Sequence, residues 1–232
     1  LVAMAWALVF LSYERGQVRR LNVSWRCTSW RRSAGLARKC FPSGLGMLLG
    51  SLTINIPVYV IEHFKGVAQA GYYSAAAFFL AFGALVAAAL SQTMMAQLSV
   101  KFNSDRESYR NTLGTLLLVS CALGGLAIAL ATLIGKDILE LLFGADYAVH
   151  DTVLLWIAVA TALSFPATLL SLSLTISRHF QAGLLINLVT LAVVSILAAI
   201  FVPTHGLVGG AWALAGGTAV RVLLSGSIVS LE

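Results

Sequence analysis

Between Arg15 and Lys39 the chain reads RGQVRRLNVSWRCTSWRRSAGLARK, and this stretch holds eight of the fifteen Lys and Arg residues. The rest of the 232 residues form a series of long apolar segments with few charges. Lys and Arg in a loop between membrane-spanning helices resist translocation and stay on the cytoplasmic side. The stretch therefore predicts a membrane protein and sets the direction in which each spanning segment crosses.

The composition supports this interpretation. Hydrophobic residues make up 59% of the chain and charged residues 10%, whereas soluble domains have roughly 25% charged residues. The mean hydropathy is +0.90. The formal net charge of +6 lies mostly in the basic stretch, where it suits the anionic inner leaflet of a bilayer. We therefore expect membrane lipids, and no nucleic acid, as partners of this charge.

Six apolar segments after the basic stretch are each long enough to cross a bilayer as a helix. The alternation typical of membrane strands is absent, so the predicted fold is all-α, a polytopic membrane helix bundle. The predicted spans are Ser43–Ile61, Tyr72–Leu98, Thr112–Ile134, Thr152–Ile176, Ala182–Val202 and Leu207–Leu231.

Three parts follow along the chain. The apolar run 1–13 is too short to cross a bilayer, so we interpret it as the end of a truncated transmembrane helix entering from outside. A basic cytoplasmic linker covers 14–41, and the six-helix membrane bundle covers 42–232. In this threading the inside connections hold twelve Lys and Arg residues, the outside connections hold only Lys65 and Lys136, and the C-terminus is cytoplasmic.

The sequence predicts the local structure of two connections on the outer side. The first, Glu62–Ala70, is predicted to be a loop. In the second, Lys136–Asp151, the apolar residues from Ile138 to Phe143 are preceded by Asp137 and interrupted by Glu140. That pattern predicts a short interfacial helix, which Gly144 would end.

No catalytic or metal-binding constellation is recognisable in the sequence. It has no phosphate-cradling glycine loop, no His/Cys metal spacing and no paired carboxylates within a span. The central parts of the spans also lack Asp and Glu, which argues against proton or sodium coupling by this chain. We therefore expect that the chain is not an enzyme and that it uses neither metal nor cofactor.

A few polar and helix-bending residues interrupt the apolar spans. Asn55, Gln92 and Asn187 either form hydrogen bonds between helices or face a wet cavity. Pro57 and Pro166 are either prolines tolerated by neighbouring helices or hinges of a moving helix.

Arg221 is the one charged residue inside a predicted span. An Arg at mid-bilayer costs ~2.5–3.5 kcal/mol on insertion scales. Its side chain either extends to the cytoplasmic interface or faces a cavity, where its planar fork of donors suits an anionic group such as a pyrophosphate.

Several motifs follow one another in an order found in bacterial polysaccharide flippases. They are IPVYVIEHFKG at Ile56–Gly66, GYYSAA at Gly71–Ala76, LLFGADY at Leu141–Tyr147, SRHF at Ser177–Phe180 and VPTHGLVGGA at Val202–Ala211. From about residue 41 to 231, the chain resembles the C-terminal half of the polysaccharide and O-antigen flippases (lipopolysaccharide biosynthesis proteins). These belong to the multidrug/oligosaccharidyl-lipid/polysaccharide exporter superfamily.

The resemblance implies a twelve-helix transporter of the plasma membrane, with two six-helix bundles around a cavity that opens alternately to each side. The chain would supply the second bundle, and a missing N-terminal bundle of the same protein would be its partner. The implied substrate is a lipid-linked oligosaccharide on a pyrophosphate anchor. Arg221 and Arg178 are then candidates for the anionic headgroup, and Asn55, Gln92 and Asn187 for the sugar hydroxyls.

Three alternatives remain open at this stage. One is a cation-coupled multidrug exporter of the same superfamily. The second is a membrane glycosyltransferase or glycan polymerase, which would need acidic or His catalytic groups and larger outer loops. The third is a partial gene product without activity of its own.

Overall fold

A computed structural model describes residues 30–144, 146, 151–177 and 179–230. Within these residues the structure has six helices: α1 Trp30–Lys65, α2 Val67–Ser104, α3 Arg106–Phe143, α4 Asp151–Ile176, α5 Phe180–His205 and α6 Leu207–Ser230. Within the described residues all regular secondary structure is helical, which confirms the predicted all-α fold. The predicted helix end at 1–13 and most of the linker 14–41 lie outside the described residues.

The chain divides into two compact units, Leu1–Phe41 and Pro42–Glu232, and the packing described below lies within the second. Each of the six helices contains a stretch long and apolar enough to span a membrane, so the chain is a multi-pass membrane protein. The helices α2 and α3 have 38 residues each, or about 57 Å at 1.5 Å per residue. They are therefore longer than a hydrocarbon core of ~30 Å requires. The direction of threading and the identity of the membrane remain predictions.

Single residues separate several of the helices. Gly66, Gly144 and Gly206 end α1, α3 and α5 with φ angles of 88°, 100° and 61°, a backbone region that glycine enters without a steric penalty. Asp105 separates α2 from α3, and its carboxylate accepts hydrogen bonds from the backbone N–H groups of Glu107 and Ser108. This capping satisfies two donors that the first turn of α3 leaves open.

Two predicted connections are wrong in structure. Where a loop was expected over Glu62–Ala70, α1 continues to Lys65 and α2 begins at Val67. Where a separate interfacial helix was expected, the same residues form the last turns of α3. A decrease in apolarity along these segments therefore does not mark the end of a helix, because the helix continues through the more polar residues. The prediction that Gly144 ends this helix is confirmed.

Helix α4 is the centre of the bundle. It packs against α2, α3 and α6, while α5 packs mainly against α6. Glycines on the neighbouring helices allow this close approach, because a Cβ at each position would lie within 3.0 Å of an α4 side chain. The pairs are Gly83 with Thr161, Gly124 with Ala162 and Gly135 with Leu154. Small residues that let backbones approach are the usual means of helix packing in membranes.

Helix α6 also depends on glycines. A Cβ on Gly217 would clash with Val194 of α5, and a Cβ on Gly210 would lie 2.8 Å from Ile61 Cδ1 of α1 and 3.4 Å from Pro57 Cβ. Ile61 and Pro57 are fully buried. The end of α1 near Gly66 is therefore anchored on α6.

Candidate functional site

Arg221 lies well inside the bundle. It is fourteen residues after the first residue of α6, or about 21 Å along the helix axis. The guanidinium Nη2 donates a hydrogen bond to Ser171 Oγ of α4 at 3.1 Å, and the side chain lines a cavity. The side chain of Arg221 thus contacts a neighbouring helix and lines a cavity, and its binding of an anion stays a prediction.

The Arg221 cavity has a volume of about 260 Å³ and lies between α1, α4, α5 and α6. Its α1 wall consists of residues with small or flexible side chains, including Gly46, Met47 and Gly50. The polar residues of its lining are Ser171, Thr175, His179, Asn187, Arg221 and Ser225. At a liquid share of roughly 30 Å³ per water, the space suits a hydrated phosphate or pyrophosphate but not an oligosaccharide.

Two buried polar atoms at this cavity lack partners. Arg221 Nε and Ser225 Oγ have no hydrogen bond to any described residue. Leaving such a group unsatisfied typically costs about 1–3 kcal/mol. Because both residues line one cavity, a ligand or water in it would be a partner for each.

The described lining of the cavity also offers no acid to compensate the charge of Arg221. None of the described residues that line the cavity is Asp or Glu. A buried cation in a protein is normally paired or hydrogen-bonded. The cavity is therefore electrostatically suited to an anion.

Asn187 lines the cavity beside Gly46, whose lack of a side chain leaves room for the Asn187 amide. A Cβ on Gly46 of α1 would lie 3.3 Å from Asn187 Nδ2. The amide of Asn187 offers both donors and an acceptor. The structure thus brings together two of the predicted site residues, Arg221 and Asn187, from different helices.

The other predicted site residues lie elsewhere. Asn55 is exposed on α1 and donates a hydrogen bond from Nδ2 to the backbone oxygen of Ser51 at 2.8 Å. Gln92 is exposed on α2. Neither lines the Arg221 cavity, and Arg178 lies outside the described residues.

Both predicted hinge prolines lie inside continuous helices. Pro57 is buried in α1 against α6. Pro166 lies in the middle of α4 and deprives the carbonyl of Ala162 of its usual N–H donor. That carbonyl faces Gly124 of α3. The proposed bending at these positions remains a prediction.

The sequence analysis missed four polar residues of the cavity lining. Ser171 and Thr175 are four apart on α4, and Ser225 follows Arg221 by four on α6, so each pair shares a helix face. This spacing was the available signal for three of them. His179 was visible only as part of a basic turn between two helices.

Comparison with known proteins gives one informative similarity. Over 171 residues the chain is 23% identical to the "Capsular polysaccharide biosynthesis protein CapF" of Staphylococcus aureus. The alignment covers 73% of this chain and 43% of that protein, so the matched region spans less than half of the relative's length. No protein-family model matches the chain, and no solved structure matches it.

Proposed function

We propose that the chain is part of a plasma-membrane flippase that moves a lipid-linked oligosaccharide or polysaccharide precursor across the membrane by alternating access. In this proposal the Arg221 cavity binds the anionic phosphate linkage of the substrate. The observation that carries the proposal is a guanidinium with an unsatisfied N–H inside a helix bundle, in a cavity whose described lining has no carboxylate. Arg is well suited to bind phosphate oxygens because its donors form a planar fork.

The small volume of the cavity indicates that the phosphate and the glycan of the substrate bind in different spaces. A space of about 260 Å³ accommodates the phosphate part of the substrate, and the glycan needs a larger space. We propose that a second six-helix bundle of the same protein completes that space. The exposed Asn55 and Gln92 on α1 and α2 are candidates to contact sugar hydroxyls there.

The comparison with CapF supports the substrate class. Its name concerns capsular polysaccharide biosynthesis, and the match extends over most of this chain. A hydrated glycan cannot pass through hydrocarbon without a polar path, because its hydroxyls would lose their hydrogen bonds. The motif order that resembles the polysaccharide flippases supports translocation and not synthesis as the role. In this role the chain carries out transport without catalysis.

Export and binding assays on Arg221 variants test the proposal. In cells, Arg221→Ala should reduce surface glycan at equal protein expression. In the purified full-length protein, it should weaken binding of farnesyl pyrophosphate, a short-chain stand-in, by roughly tenfold to hundredfold, because charge-assisted hydrogen bonds contribute about 1.5–3 kcal/mol. Arg221→Lys should retain part of this binding, since it keeps the charge and loses the fork.

Matched controls separate the site from general effects. Asn187→Ala should also weaken binding, whereas Asn111→Ala changes an exposed residue of α3 outside the cavity and should have no effect. Lys136→Ala removes an exposed charge at the other end of α3 and should likewise be silent. Normal glycan export by Arg221→Ala would overturn the assignment. If the protein exports cationic dyes and Arg221→Ala does not change this efflux, a drug exporter would be favoured instead.

The stability of Arg221→Met distinguishes a ligand-binding Arg from a structural one. If the charge is kept for an anion, the apolar replacement removes the cost of burying it and should raise the free energy of unfolding by about 1–2 kcal/mol. Farnesyl pyrophosphate binding should decrease at the same time. If Arg221 instead held α4 and α6 together through Ser171, the same variant would unfold at a lower temperature. Thermal unfolding in detergent decides between the two.

A further inference from the structure

A second cavity lies between the end of α2 and the helices α3, α4 and α6, and it shares no lining residue with the Arg221 cavity. It has a volume of about 630 Å³, and we call it the α3 groove. Its lining residues are mostly apolar and include Leu113, Leu117, Leu170, Val222 and Leu223. Leu223 is 71% exposed, so the groove is open along its side.

The charged residues that line the α3 groove are both basic and lie at one end of it. Arg106 and Arg110 lie one turn apart at the start of α3 and both line it. Arg106 packs its guanidinium 5.4 Å from the ring centroid of Phe102, a cation–π contact. Arg110 is exposed. The acidic residues Asp105 and Glu107 are close in the chain but do not line the groove. The Asp105 carboxylate accepts hydrogen bonds from the backbone N–H groups of Glu107 and Ser108.

The length of the groove matches one leaflet. From Arg106 to Cys121, the last α3 residue that lines it, is fifteen residues, or about 22 Å along the helix. Half of a bilayer of ~40–45 Å, with its headgroup regions included, is about 20–22 Å. A headgroup at the arginines would therefore leave an acyl chain room to extend along the apolar wall.

We propose that the α3 groove binds an anionic glycerophospholipid of the surrounding bilayer. The phosphate contacts Arg110 and Arg106, and one acyl chain lies against Leu113, Leu117 and Leu223. Basic pockets between membrane helices select anionic headgroups by charge, and the groove combines such a charge with a hydrocarbon surface. This site is separate from the proposed substrate site and does not depend on which substrate is moved.

Native mass spectrometry of the purified full chain with added lipids tests the proposal. Phosphatidylglycerol should bind more tightly than phosphatidylethanolamine of the same acyl chains. The double variant R106Q/R110Q should weaken phosphatidylglycerol binding by about 25-fold, since each basic residue near an anionic surface contributes about fivefold. Lys136→Gln removes a charge from the other end of the same helix and should change nothing. Equal binding of the two lipids, or an equal loss in both variants, would overturn the proposal.

A pair of glycine substitutions tests the apolar wall without disturbing the fold. Gly114 lines the groove, and a Cβ there would meet no atom within 4 Å. Gly125 on the same helix has equal space and lies outside the groove. Gly114→Leu should fill the groove and reduce phosphatidylglycerol binding about tenfold, whereas Gly125→Leu should not. If both variants bind normally, no acyl chain lies there.

Farnesyl pyrophosphate binding separates this site from the substrate site. In R106Q/R110Q it should be unchanged, because Arg221 and its cavity are intact. If instead the double variant lost farnesyl pyrophosphate and kept phosphatidylglycerol, the groove would belong to the substrate and the lipid proposal would be wrong. Loss of farnesyl pyrophosphate in Arg221→Ala alone bears only on the proposed transport function.

Discussion

Helices α3 and α4 are neighbours of similar apolarity, but α4 is mostly buried in the protein and α3 is mostly exposed. In the apolar stretch of α4, 61% of the residues are buried in the protein, against 11% in the apolar stretch of α3. Leu154 of α4 is 2% exposed, whereas Leu133 of α3 is 79% exposed. Apolar sequence alone therefore does not identify the central helix of this bundle.

The difference follows from how helices associate in lipid. Hydrocarbon tails are as apolar as leucine, so close packing and interhelical hydrogen bonds decide which helix is central. In α4 the buried positions include small residues such as Ala158, Ala160 and Ala167, and glycines of α2 and α3 face it. Helix α3 offers one narrow face to α4 and its remaining surface to the surroundings.

The largest expected effect comes from comparing the two leucines directly. Leu154→Ala opens a cavity against Gly135 and should lower the free energy of unfolding by about 3 kcal/mol. Leu133→Ala makes the same chemical change on an exposed face and should cost less than about 0.5 kcal/mol. Unfolding in detergent measures both. Similar losses in the two variants would mean that α3 is covered by another part of the protein.

Two adjacent glycines of α3 give the next largest contrast. A Cβ on Gly124 would lie 3.0 Å from the Cα and carbonyl oxygen of Ala162, and this backbone cannot easily move away. Gly124→Ala should therefore destabilise the protein by about 2 kcal/mol. Gly125 has nothing within 4 Å, so Gly125→Ala should stay within about 0.5 kcal/mol of the parent. Thermal unfolding of the pair measures the α3–α4 contact, and equal unfolding temperatures would place that contact elsewhere.

The smallest effect concerns a hydrogen bond between the same helices. Tyr109 Oη and Ser173 Oγ are 2.7 Å apart and buried. A double-mutant cycle with Tyr109→Phe and Ser173→Ala should give a coupling of about 0.6 kcal/mol, the average for such bonds in membranes. Thr115 donates to the backbone oxygen of Asn111 in its own helix, so a cycle with Thr115→Ala and Ser173→Ala should show no coupling. Coupling in this control cycle would mean that the substitutions act through the fold and not through the bond.

The sequence predicted the number of spanning helices among the described residues because each crossing needs an uninterrupted apolar run. It did not predict where those helices end, because charged residues such as Glu62 and Lys65 lie on the same continuous helix as the apolar ones. Turn residues were more informative than hydropathy. Gly144 ends α3 as expected, since its positive φ is costly for other residues.

The candidate site was predicted only in part. Arg221 and Asn187 were recognisable because charged and amide side chains are rare within membrane helices. Ser171 was not, because hydroxyls in such helices commonly bond to a carbonyl one turn earlier, as Ser171 does with Ala167. That it also accepts from Arg221 depends on how α4 and α6 are placed side by side, and no periodicity in a single sequence encodes that arrangement.

The one-residue connection at Gly66 restricts how α1 and α2 can separate. Lys65 and Val67 are two Cα steps apart, at most about 7.6 Å, and Lys65 Nζ also bonds to the carbonyl of Pro203 at 3.1 Å. Any opening between α1 and α2 must therefore widen towards their far ends, with Gly66 as the pivot. A tilt of about 10° would move Gly44, at the other end of the apolar span of α1, by about 6 Å. An opening between these two helices would therefore form at the Gly44 end of α1, while the end at Gly66 stays closed.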